Sequence, residues 1–98
     1  MHRININDST KVLRTFHKNG KPQSEAIYVH GKLYGTYKEW YRNGNLKTEI
    51  EYKEGVRDGI TTTWYSNGQK ETELLYENNT FIRVVGKWDD EGYELSLE

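Results

Sequence analysis

Bulky residues in this chain sit among charged ones in short runs of strand length, and the runs are separated by small polar turns. In the stretch Thr36-Tyr37-Lys38-Glu39-Trp40-Tyr41, then Arg42-Asn43-Gly44-Asn45, then Leu46-Lys47-Thr48-Glu49-Ile50-Glu51-Tyr52, the pattern reads strand, tight turn, strand. Asn-Gly favours a two-residue type I′ turn, because both central residues need positive φ, which Asn tolerates and Gly adopts freely. Such a turn sets Tyr41 opposite Leu46, Lys38 opposite Glu49 and Tyr37 opposite Ile50. It places Tyr37, Tyr41, Leu46 and Ile50 on one side of the hairpin and Trp40, Lys38, Lys47 and Glu49 on the other; a longer loop would exchange these assignments. A second connection follows as Lys53-Glu54-Gly55-Val56-Arg57-Asp58-Gly59, matched earlier by His30-Gly31-Lys32-Leu33-Tyr34-Gly35. Gly31 and Gly55 are expected at positive φ, with Gly35 and Gly59 where the next strand begins. The next copy has Asn79 and Arg83 in these two columns, which predicts a differently shaped last connection.

The same pattern returns every 24 residues. Asn19-Gly20, Asn43-Gly44 and Asn67-Gly68 are followed by Glu91-Gly92, and the interval also carries Phe16, Trp40, Trp64 and Trp88, then Tyr28, Tyr52 and Tyr76, then Glu25, Glu49 and Glu73. Repetition at this period marks a stacked array in which each unit buries its face against its neighbours. The chain therefore divides as one repeat domain over 1–98: a partial unit at 1–11, full units at about 12–35, 36–59 and 60–83, and a capping partial unit at 84–98. Ile4 and Ile6 align with Tyr28 and His30, so the first residues read as the second strand of a truncated unit. The last unit keeps Trp88 and Gly92 but has Asp89 where Tyr41 and Tyr65 stand. The expected fold is all-β, stacked antiparallel hairpins forming an elongated single sheet, flat or curled.

Composition fits a thin sheet better than a globule. Only 34% of the residues are hydrophobic and the mean hydropathy is −1.01, yet eight Tyr and three Trp offer large, half-polar surfaces. The Trp column is thus expected to pack rather than to form a stacking ladder for bases or sugars. Net charge is −1, but its distribution is uneven: residues 1–49 hold nine Lys/Arg against four Asp/Glu, and residues 50–98 hold five against eleven. Such polarity can steer a charged partner or favour self-association through the end strands. The acids Glu71, Glu73, Asp89, Asp90 and Glu91 are the candidate partner-binding residues, suited to a partner with a basic surface, and no direct contact with nucleic acid is expected.

No catalytic, cofactor or metal site is predicted. Cysteine is absent, and His2, His17 and His30 have no zinc-ligand spacing. His17 occupies the Tyr41 and Tyr65 column, as an aromatic substitute. One Glu per repeat is the mark of a structural column, with Arg14 facing Glu25 as Lys38 faces Glu49, and no serine sits in a nucleophile elbow. Neither a secretory signal nor a membrane span is recognisable, so a cytoplasmic protein is expected.

The pattern Trp40-Tyr41-x-Asn43-Gly44-x-Leu46-x-x-Glu49-x-x-Tyr52-x-x-Gly55-x-x-x-Gly59 resembles the MORN variant repeat found in YwqK-type bacterial antitoxins, and it recurs as Trp64-Tyr65-x-Asn67-Gly68 with Glu73 and Tyr76. The first unit departs from it, with Phe16-His17 for the aromatic pair and Pro22 for Leu. The resemblance covers nearly the whole chain. It implies a binding surface without chemistry of its own, in this family often the protective partner of a toxin. Arrays of this kind also serve as scaffolds and have been associated with membrane phospholipid, which gives the alternative reading, a structural scaffold or adaptor module that oligomerises or contacts anionic phospholipid.

Overall fold

In the computed structural model, residues 9–97 are described. His2, Ile4 and Ile6 lie outside them. The described chain contains β1 (Thr10–Phe16), β2 (Pro22–Val29), β3 (Lys32–Leu33), β4 (Gly35–Trp40), β5 (Leu46–Lys53), β6 (Val56–Trp64), β7 (Lys70–Glu77) and β8 (Thr80–Lys87). All pair antiparallel in one open sheet of order β1-β2-β4-β5-β6-β7-β8, with the short β3 beside β2. Apart from β3 and β4, which both pair with β2, sequence neighbours are sheet neighbours, as hairpins joined by short turns require. The extents are 57 × 36 × 15 Å and the radius of gyration is 16.0 Å. A compact chain of this length would have about 13 Å, so the array is elongated and one layer thick. No helix among the described residues is long and apolar enough to cross a membrane.

A single layer leaves little interior. Ala26 and Ile50 are the buried hydrophobic residues, joined by Thr61 and Thr62. Trp40, Trp64 and Trp88 are half-buried, covering the sheet rather than filling a core. The Trp88 indole lies where a Cβ on Gly86 would project, which explains a buried glycine in the edge strand β8. Across the strands, residues fall into rows. Arg14, Glu25, Lys38, Glu49, Thr62, Glu73 and Gly86 stand side by side, each paired with the next. Arg14 bonds Glu25 at 2.9 Å within this row.

Two features of the hairpins differ from the sequence expectation. Asn43 and Gly44 do not form a two-residue type I′ turn. Gly44 N–H donates to Tyr41 C=O at 2.9 Å and Tyr41 N–H to Asn45 C=O at 2.8 Å, and only Gly44 has positive φ, at 96°. This is a type I turn closed by a glycine bulge, a three-residue loop. Leu46 accordingly pairs with Trp40, on the Trp40 side, and not with Tyr41. The slip is then cancelled by a bulge between Glu39 and Trp40, so Lys38 meets Glu49 and Tyr37 meets Ile50 as expected. The same shift occurs in the neighbouring units, leaving Gln23, Lys47 and Glu71 as the extra residues.

The type I′ turns are found at the opposite edge. His30 and Gly31 (φ 51° and 80°), Glu54 and Gly55 (50° and 87°), and Asn78 and Asn79 (48° and 71°) each put both central residues in the left-handed region. Beyond them Gly35 and Gly59 also take positive φ. Where Arg83 replaces the second glycine, β7 and β8 distribute the irregularity over two separate register shifts. The last turn itself keeps the type I′ form, and the difference lies in the pairing of the strands.

Candidate functional site

The Asn-Gly turns line one long edge of the sheet, one above another. Each Asn works in two directions. Its Oδ1 accepts the N–H two residues on, with Lys21 at 3.0 Å, Asn45 at 2.8 Å and Gln69 at 2.9 Å. Its Nδ2 donates to the next turn, Asn19 to Arg42 C=O at 3.0 Å, Asn43 to Ser66 C=O at 2.8 Å and Asn67 to Asp90 C=O at 2.7 Å. The aromatic column does the same. Tyr41 donates to Trp64 C=O at 2.6 Å and Tyr65 to Trp88 C=O at 2.8 Å. His17 takes this role in the first unit through Nε2, 2.9 Å from Trp40 C=O; a carbonyl only accepts, so Nε2 carries the proton. The edge is a ladder with one direction, every donor pointing toward the C-terminal end.

The last turn stops it. Asp89 and Glu91 stand in the Tyr and Asn columns and, ionised, offer no donor. Asp89 Oδ1 instead accepts the N–H groups of Glu91 and Tyr93, both at 3.0 Å, shaping its own turn. Charge changes sign along the same edge: Lys18, Lys21 and Arg42 on the first two turns, Ser66 and Gln69 on the third, Asp89, Asp90 and Glu91 on the last. The only ion pairs among the described residues are Arg14–Glu25 and Lys70–Glu73, so Lys18, Arg42, Asp90 and Glu91 are left without one.

The five candidate acids do not share a face. Glu71 is the bulged residue of β7, and it accepts from Thr63 Oγ1 at 3.3 Å. Burial first, then the charges of Glu71, Asp90 and Asp89, push the Tyr65 hydroxyl above its ordinary pKa. Burial and Glu71 act likewise on Tyr41. Glu73 instead belongs to the row of Thr62 and Gly86 and binds Lys70 at 2.9 Å, while the Lys70 ammonium lies 5.4 Å from the Trp88 ring centre. Glu91 sits at the tip. Sequence reasoning missed the forward bonds of Asn and Tyr, although columns spaced by one period were their available signal. It also missed Glu51, which accepts Ile60 N–H at 2.7 Å over the irregular start of β6. The described residues contain no group of three or more His, Cys, Asp or Glu able to hold a metal ion. Their depressions are open, as at Lys53, Glu54, Val56, Asp58 and Asn78, about 410 Å³ on the type I′ edge.

Compared with known families, the chain matches the MORN repeat variant three times, over residues 10–30, 33–54 and 57–78, which is more than half of its length. No curated protein and no solved structure matches it.

Proposed function

Because the chain belongs to the MORN repeat variant family, a repeat suited to binding, we propose that it is a non-enzymatic binding protein, and specifically an antitoxin or immunity protein of the bacterial cytoplasm. It neutralises a cognate toxin by covering the surface through which the toxin acts or enters. The observation that carries this reading is the acidic end of the turn ladder, where Asp89, Asp90 and Glu91 form the last turn and Asn67 holds the Asp90 carbonyl. Toxins that attack nucleic acid need a basic working surface, and a rigidly presented group of carboxylates complements one. Rigidity comes from the ladder, which fixes Asp90 through the bond from Asn67. Glu73, on the other face, is assigned a structural pairing with Lys70.

The test uses the full chain as bait in a lysate of its source cells, followed by assay of the captured protein. One stoichiometric partner whose toxic activity is lost in the complex and regained with Glu71→Lys/Asp90→Lys supports the proposal. Truncating one side of a desolvated charge pair costs about 2–5 kcal/mol, so the reversal should abolish capture at physiological salt. A partner held equally well by the variant would remove the acidic end as the site. A scaffold that touches anionic phospholipid is the second reading, favoured by Lys18, Lys21 and Arg42 on the first two turns. Salt-sensitive sedimentation with anionic vesicles would support it.

A further inference from the structure

The edge that carries the ladder has a property that neither role above requires. Its charge runs from positive through neutral to negative over four turns, and such a sequence is complementary to itself when reversed. Consecutive turns are two strands apart, about 9.6 Å, so the first and last are separated by about 29 Å. A two-fold axis through the middle of the edge brings the first turn of one copy to the last turn of the other, twice, with no adjustment of spacing. The second and third turns then meet as Arg42 against the uncharged Ser66 and Gln69.

The two ends also match in shape. At the first turn Phe16, His17, Lys18, Gln23 and Arg42 line an open depression of about 340 Å³, cationic at its rim and with Phe16 58% exposed. At the last turn Tyr93 is 68% exposed, the most exposed of the large aromatic and aliphatic side chains among the described residues, and it is flanked by Asp90, Glu91 and Glu94. A ring offered beside carboxylates is the kind of group that a depression of one ring and two cations accepts.

We propose that the protein pairs with a second copy of itself along the Asn-Gly edge. Tyr93 of each copy enters the Phe16 depression of the other, and Asp90 and Glu91 lie against Lys18 and Arg42. Individual exposed ion pairs are weak and an edge contact is small, so the dimer is dynamic and sensitive to salt. It also occupies the acidic turn, so a toxin of the kind proposed above would compete with the second copy. The pairing itself does not depend on that reading.

Sedimentation of the purified full chain over a range of concentrations tests it. The expected result is a monomer–dimer equilibrium, weakened roughly tenfold when added salt shortens the Debye length from about 30 Å to about 8 Å. Lys18→Glu/Lys21→Glu/Arg42→Glu makes the edge acidic and Asp90→Lys/Glu91→Lys makes it basic; each variant alone should be monomeric, and an equimolar mixture should dimerise. Tyr93→Ala should weaken the unmodified dimer. A parent chain that stays monomeric at low salt, a dimer that survives in either variant, or a mixture that fails to pair would overturn the proposal. The salt dependence of the parent stands as a test even where a variant does not fold.

Discussion

The two long edges of the sheet face the same task, stacking one turn on the next, and meet it differently. On the Asn-Gly edge the contact is made by side chains, Asn and Tyr reaching forward to carbonyls of the following unit. On the opposite edge, among the described residues, every donor is a backbone N–H: Gly55 N–H to Leu33 C=O at 2.8 Å and Asn79 N–H to Arg57 C=O at 2.7 Å run backward, and side chains serve only as acceptors, Asp58 Oδ1 from Asn78 N–H at 3.0 Å and Asn79 Oδ1 from Arg57 N–H at 3.4 Å. Where the Asn side chain carries the bond, its column holds one residue type, Asn19, Asn43 and Asn67, and the aromatic column changes only to His17, which keeps a donor. Where the backbone carries it, the bonded columns drift, from Gly55 to Asn79 for the donor and from Leu33 to Arg57 for the acceptor. The backbone edge constrains conformation and leaves chemistry free, whereas the side-chain edge fixes chemistry and hence which groups can be displayed at its tips.

Substitutions can break this contrast, beginning with the largest effect. At the type I′ edge Gly59 has φ 126°, and a Cβ there would overlap the Glu51 carboxylate that holds Ile60 N–H. Gly59→Ala should cost about 2–3 kcal/mol in denaturant unfolding, and Glu51→Ala in the same background should recover part of it. On the ladder edge, Asn67→Ala removes two hydrogen bonds, to Asp90 C=O and from Gln69 N–H, and should cost about 1–2 kcal/mol. If it cost no more than an ordinary surface change, the ladder would be geometry without energy.

Between the edges the Thr61 hydroxyl is buried without a hydrogen-bond partner. Thr61→Val should stabilise by about 1 kcal/mol, read as a higher urea midpoint at unchanged slope. Glu54 occupies a left-handed position that Asn fills more easily, so Glu54→Asn should stabilise by about 0.5 kcal/mol; the gain would confirm that this column is conformational.

The sheet centre adds a pH dependence of its own through Tyr37. Burial first, then its bond to the Glu39 carboxylate, pushes the Tyr37 hydroxyl up to about 12 from 10.0. The unfolded chain ionises this phenol first as pH rises, so the folded state binds more protons over the interval, and stability, full below pH 10, falls between about pH 10 and 12. Alkaline unfolding of Tyr37→Phe should lack that component. A phenol titrating at its ordinary value in ultraviolet difference spectra would contradict the packing described.

The repeat, the all-β sheet and the pairings of Arg14 with Glu25, Lys38 with Glu49 and Tyr37 with Ile50 were legible because a period and a strand pairing both express themselves in spacing. Turn type was not legible. Asn-Gly serves a type I′ turn and a type I turn with a glycine bulge equally well, and in the second only Gly needs positive φ. The longer loop was hidden by the bulge that cancels it. That same bulge decides the candidate acids: Glu71 and Glu73, two residues apart, would share a face in a regular strand, but Glu71 is the extra residue and the parity breaks there. The forward ladder escaped notice because its partners are a whole repeat apart, a separation at which spacing shows equivalence but not contact.

The distinction between a displaying edge and a structural one can be measured directly by amide hydrogen exchange of the full chain, free and bound to its captured partner. Added protection along the Asn-Gly edge, strongest at Asp89–Gly92, with His30–Gly31, Glu54–Gly55 and Asn78–Asn79 unchanged, is the predicted result. Protection confined to the type I′ turns would contradict it and move the binding surface to the other side of the sheet.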